Sequence, residues 1–286
     1  MGKITRDFPD LKGSGKLDRI TIFDSLSDFA DSAQALSQNG HYDDAGHWFG
    51  GVPLNTTAKY CRTGDLARVE PSDKLLSAFE NKFHFQSSAF QTVDAVAGGV
   101  PNVPAFLAGQ PLAMRRRQRV TNEQAPLNIL IDLTSSGGIT SAQLEKRGAA
   151  LLALVRILSA QRPVNLYAAS SGLPRSAGER FMSSAVLFRL DTAPLDLARA
   201  AHVLCATGVA RQLGYSTLTE QVGSKGGDIA WPYNSDEYTR RNGVAYWQRA
   251  IGTDELLYLA PAFAYDENLT NPEKWLTDML AKYGPL

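Results

Sequence analysis

Residues 127–169 constrain the fold more than any other stretch of this chain. Leu127-Asn-Ile-Leu-Ile-Asp-Leu133 is a short apolar run rich in β-branched residues, suited to a central strand. Thr134-Ser-Ser-Gly-Gly138 is a turn, and Thr140-x-x-Gln143 is a capping-box signature. The helix expected from Ser141 to about Ser159 is almost uniformly apolar after Gly148, so it is expected to be buried on most sides. Pro163 ends it, and Val164-Asn-Leu-Tyr-Ala-Ala169 reads as a second strand. A strand, helix and strand of these lengths imply a parallel crossover. The expected class is therefore α/β, with α+β open: a central βαβ unit with a partly parallel sheet flanked by helices. An OB-fold, with five strands and little helix, does not fit.

The flanking segments are expected to complete one domain, residues 20–286, with its core at 127–213. Residues 1–19 read as a flexible basic arm, broken by Gly13-Ser14-Gly15. Arg19–Phe23 reads as a strand, with Asp24 or Ser25 capping a helix that Asn39-Gly40 ends. Ala97–Gln110, with its glycines and prolines, reads as a loop. Ala185–Leu190 reads as a third strand. A helix starting near Pro194 is expected to stop at Gly214. Glu255–Ala260 and Pro272–Lys282 read as a last strand and helix.

At 44% hydrophobic and 20% charged residues, the chain is in the range of globular proteins. The polar start, Met1–Asp10, carries no signal-peptide pattern, and Gly148–Val155 is too short to cross a bilayer. No membrane association is expected. Cys61 and Cys205 are far apart and in no metal-binding pattern, so both are expected as buried free thiols. Net charge is zero, but it is distributed unevenly: −3 over residues 1–110, +7 over 111–211 and −4 over 212–286. In the basic centre Arg outnumbers Lys 12 to 1, which favours planar recognition of phosphates and bases.

Catalytic and metal chemistry find little footing. There is no G-x-S-x-G, no P-loop and no G-x-G-x-x-G. His41, His47, His84 and His202 are scattered. His41 and His47 bracket Asp43-Asp44 in a loop, without the helical spacing or Cys partners of a zinc site. The sharpest local pattern is Asp132-x-Thr134-x-Ser136 at a strand end. It resembles the metal-ion-dependent motif of von Willebrand A-type domains, in which a carboxylate and two hydroxyls begin a Mg²⁺ site. Completing it takes a Thr and an Asp from later loops. The only adjacent downstream pair, Thr253-Asp254, precedes its strand instead of following it. No cofactor and no metal are expected.

Two features point to a polyanion. Arg115-Arg116-Arg117-x-Arg119 places four guanidiniums in five residues with no acid until Glu123, an arrangement too repulsive to bury. Trp231, Tyr233, Tyr238, Arg240, Arg241, Tyr246 and Trp247 interleave aromatic rings with arginine, as sequence-tolerant single-strand binding requires. Arg175 and Lys225, in glycine-containing loops, extend the candidate surface.

Gly98-Gly-Val-Pro-Asn-Val-Pro-Ala-Phe-Leu-Ala-Gly-Gln-Pro-Leu-Ala-Met114 and Ile129–Gly138, followed by Arg147–Leu154 and Arg162–Tyr167, are similar to bacteriophage proteins. They resemble the single-stranded DNA-binding RNA polymerase cofactors (Drc-type) of short-tailed phages that carry a giant RNA polymerase in the virion. The resemblance covers roughly a quarter of the chain and carries no catalytic signature. It implies single-stranded DNA binding, self-association into a homo-oligomer, partnership with a phage RNA polymerase in middle transcription, and location in the cytoplasm of the infected bacterial host. It does not locate the DNA site; the arginine and aromatic residues above come from charge and stacking. The expected function is thus a non-enzymatic single-stranded DNA-binding cofactor. The alternatives are a von Willebrand A-like Mg²⁺-dependent module on Asp132, Thr134 and Ser136, or a structural phage protein.

Overall fold

The structure is a computed structural model. It describes residues 2–11, 13–37, 46–83, 90–119, 125–174, 180–192, 194–222, 229–231 and 237–283, with backbone alone at 78–83, 90–91, 117–119, 173–174, 222, 229–231 and 237–242. The chain begins with β1 (Lys3–Pro9), β2 (Leu17–Phe23), α1 (Leu26–Ser37), α2 (Leu54–Thr63) and α3 (Glu70–Phe83). Next come β3 (Phe90–Ala95), β4 (Val100–Pro101), α4 (Val103–Leu107), β5 (Met114–Arg119), β6 (Leu127–Asp132), α5 (Ser141–Gln161) and β7 (Val164–Pro174). The last part holds β8 (Phe181–Leu190), α6 (Leu197–Cys205), a π-helical stretch (Val209–Gly214), α7 (Tyr215–Val222), β9 (Ile229–Trp231), α8 (Glu237–Ile251), β10 (Leu257–Leu259), α9 (Glu267–Thr270) and α10 (Pro272–Tyr283).

The fold is α/β. Its main sheet has the order β1-β2-β8-β7-β6-β10, with β9 also paired to β7. β7, β6 and β10 run parallel, β8 is antiparallel to β7 and parallel to β2, and β1 is antiparallel to β2. The expected βαβ unit is present: β6 and β7 pair in parallel from Leu127↔Val164 to Asp132↔Ala169, joined by α5. β6 is apolar from Ile129 to Ile131 because both its faces are buried there. Ile129 and Ile131 enter the larger core, and Leu130 the smaller one on the opposite face.

The larger core is formed by α1, α2, α3, α5, α6, α7 and α10 against one face of the sheet. Phe29 of α1 stacks on Phe188 of β8 at 4.4 Å between centroids. Thr140 and Gln143 close the expected capping box on α5, and every residue from Gly148 to Val155 is buried. Gly148 allows α5 to cross α6 closely, since a Cβ there would run into the Leu204 carbonyl. The smaller core lies under α8, whose Tyr246, Trp247 and Ala250 cover Ile20, Ala169, Ala185 and Leu187.

Four expectations are corrected. Residues 3–9 of the supposed arm form the edge strand β1, because pairing with β2 satisfies their backbone groups. The Arg115–Arg119 run, which the sequence assigned to no element, is the central strand of a separate three-stranded sheet, β3-β5-β4. The helix start near Pro194 is moved to Leu197, where Asp196 accepts the Arg199 N–H. Gly214 does not stop that region. Helix continues through it into α7, and its bare Cα fits against Ser170, where a Cβ would lie 2.5 Å from Oγ. The core also extends beyond 127–213, from Phe23 to Leu280. The helix end expected at Asn39-Gly40 lies outside the described residues.

Candidate nucleic-acid interface

Strand alternation decides what β5 presents. Arg115 lies opposite Asp94 on one side and Val100 on the other, Arg117 opposite Thr92, and Arg119 opposite Phe90. Positions 115, 117 and 119 therefore share one face of the small sheet, roughly 7 Å apart at twice the strand rise. Of their neighbours on that face, Thr92, Asp94 and Val100 are exposed, as is Arg115 itself. The opposite face carries Val93, Ala95 and Met114, all half-buried or buried. Arg116, on that second face, is exposed as well. Arg115 Nε lies 3.4 Å from Asp94 Oδ1, with both side chains half exposed. A solvated pair of this kind holds an arginine weakly.

The hairpin that leads into β5 is built for close approach. Gly98 passes so near β5 that a Cβ would meet the Arg115 carbonyl. Asn102 caps α4 through the Ala105 N–H, and its own N–H donates to the Ala113 carbonyl at 2.8 Å. Sequence reading treated this segment as a loop and missed its surface. Val96, Val100, Val103, Phe106, Leu107 and Leu112 are all exposed, Phe106 at 71%. From Ala95 to Asn122 the only charged residues are the four arginines, and that acid-free apolar composition was the available signal.

The aromatic segment divides. Tyr246 and Trp247 are fully buried, edge to face with each other at 4.9 Å, so neither offers a ring to a base. This corrects their assignment as stacking residues: with Ala250 they form the apolar stripe by which α8 covers the sheet. Arg249 is likewise engaged. It donates to Asp18 Oδ2 at 3.1 Å and to the Pro9 carbonyl at 2.7 Å, and it lies over the Phe8 ring. Trp231 stands opposite Leu173 in the β7–β9 pairing. Positions 238, 240 and 241 fall in the first turns of α8, and 238 and 241 lie on the side turned away from the buried stripe. Arg175, Lys225 and Tyr233 lie outside the described residues. The structure thus sets positions 115, 117 and 119 on one face of β5 and puts Tyr246 and Trp247 in the core.

The Asp132 turn serves the fold. Asp132 is fully buried; its Oδ1 accepts the Thr134 N–H at 2.9 Å and its Oδ2 accepts the Ser171 hydroxyl at 2.7 Å. Thr134 Oγ1 in turn donates to the Ser171 carbonyl and accepts the Ser171 N–H. Burial holds the Asp132 carboxyl above the usual range against these hydrogen bonds. The Ser136 N–H donates to the Ala262 carbonyl. Thr253 bonds Asn128 at the start of β6, the opposite end of the strand from Asp132, so the pair Thr253-Asp254 does not meet the turn. Two buried arginines hold the turn from outside. Arg147 donates to the Asp132 and Ala260 carbonyls. Arg211 donates to Ser135 Oγ and to the Ser136, Ile139 and Trp48 carbonyls.

The other titratable candidates are placed as follows. His202 is buried, its Nε2–H donating to the Thr57 carbonyl, and burial pushes its pKa down to about 4. Cys61 and Cys205 are buried free thiols pushed up to about 12. His47 is exposed, whereas His41, Asp43, Asp44 and His84 lie outside the described residues. Among the described residues no three His, Cys, Asp or Glu side chains gather as a metal site. No described helix is long and apolar enough to cross a membrane.

A family model described as a domain of unknown function, DUF7192, matches residues 16–285. The chain belongs to the DUF7192 family. No curated protein and no solved structure matches it. The DUF7192 match spans the main sheet from β2 to α10 together with the small arginine sheet, and leaves out only β1 among the strands.

Proposed function

We propose that this DUF7192 chain is a non-enzymatic single-stranded DNA-binding protein that engages the sugar-phosphate backbone with β5. One observation carries the reading: positions 115, 117 and 119 share the open face of a small sheet in a segment whose only charges, from Ala95 to Asn122, are arginines. Guanidiniums repeated along a strand match a row of phosphates and release its counterions. A role as cofactor of a phage RNA polymerase, action in the host cytoplasm and self-association belong to the same proposal. They rest on the resemblance of Gly98–Met114 and Ile129–Gly138 to the Drc-type proteins.

The test is fluorescence anisotropy of a labelled oligo(dT) titrated at several KCl concentrations. Binding is expected to weaken with salt, and duplex of equal length to bind less well. The triple variant R115A/R117A/R119A is expected to reduce the slope of log K against log[salt] by about 2, since each phosphate contact on a single strand contributes about 0.7. Salt-independent binding, or a triple variant with the parent slope, would overturn the proposal.

A further inference from the structure

We infer that Phe106 is the base-contacting group of this interface, with Val100, Val103 and Leu107 forming the apolar surface around it; this rests on the single-strand reading above. Phe106 and Leu107 end a five-residue helix at 71% and 79% exposure, and Val100 stands directly opposite Arg115 in the β4–β5 pairing. Soluble proteins seldom expose so many large apolar side chains in one short segment without a ligand for them. The charges beside the patch select the occupant. Four arginines and no acid between Ala95 and Asn122 favour an anion, and an anion that also presents flat apolar faces is a polynucleotide with unstacked bases. In a duplex those faces are stacked away and the patch finds no partner, so the surface distinguishes single strands from double ones. The assignment moves stacking from the buried rings of α8, Tyr246 and Trp247, to the hairpin that carries the arginines.

The experiment compares oligo(dT) with an abasic oligonucleotide of the same length, which keeps the phosphates and lacks the bases. The parent protein is expected to prefer oligo(dT). Phe106→Ala is expected to lose roughly ten- to a hundredfold in oligo(dT) affinity, with abasic affinity and the salt slope unchanged. Phe106→Trp is expected to restore the preference. An exposed side chain leaves the fold intact when replaced, and a thermal unfolding curve matching the parent's checks this for both variants. If Phe106→Ala binds oligo(dT) as tightly as the parent while the triple arginine variant does not, the inference fails and the DNA reading stands. If the parent binds neither oligonucleotide, the DNA reading itself fails. If Phe106→Ala leaves binding intact but lowers the oligomeric state by light scattering, the patch joins copies of this chain and the inference is overturned.

Discussion

Asp132 shows how a residue pattern acquires its meaning from burial. In the sequence its spacing to Thr134 and Ser136 resembles the start of a cation site. In the fold the carboxylate has no exposure, and both its oxygens tie the end of β6 to Ser171 of β7 and to its own turn. Because burial holds its pKa above the ordinary aspartate value, the native state keeps this proton more tightly than the unfolded chain. Its contribution to stability is therefore full below about pH 3.9, the unfolded value, and is lost as pH rises through the folded value. Denaturant melts from pH 4 to 8 are expected to show that decline in the parent and a flatter profile in Asp132→Asn. Identical slopes would exclude Asp132 as its source. Gly148 and Gly214 carry the same lesson. Each glycine reads as neutral or as a stop until the Leu204 carbonyl or Ser170 is found against it.

At the scale of elements, α8 and β5 began as two halves of one binding surface and part in the fold. On α8, residues 246, 247 and 250 fall within one helical stripe and close over Ile20, Ala169, Ala185 and Leu187. The sequence reading assigned no helix here, because arginine and aromatic residues surround the stripe on both sides. Trp247→Ala is expected to cost about 3–5 kcal/mol, read as a lowered urea midpoint, since it empties a fully buried site. Near-parent stability would show that the ring is dispensable to the core. On β5, charge density signalled exposure, and Arg115 and Arg116 are exposed. The strand itself was invisible because four arginines give no apolar alternation, and its partners β3 and β4 supply the ladder.

Over the whole molecule, the scaffold and the candidate interface are separate sheets. The main sheet runs from β1 to β10, while among the described residues β3, β4 and β5 pair only with one another. Replacing residues 90–119 by a short Gly/Ser linker is expected to leave the unfolding free energy of the remainder within about 1 kcal/mol of the parent and to abolish oligo(dT) binding. Loss of cooperative unfolding would mean that the small sheet supports the core. The sequence by itself determined the βαβ centre from Leu127 to Ala169, the α/β class, the α5 capping box and the exposure of Arg115 and Arg116. Those features follow from local periodicity, capping chemistry and the cost of burying like charges. Only the tertiary structure decided that residues 3–9 add an edge strand, that Asp132 turns inward, that Tyr246 and Trp247 are core, and that Phe106 is left outside. Each of these depends on which distant residue covers it, and spacing along the chain carries no record of that.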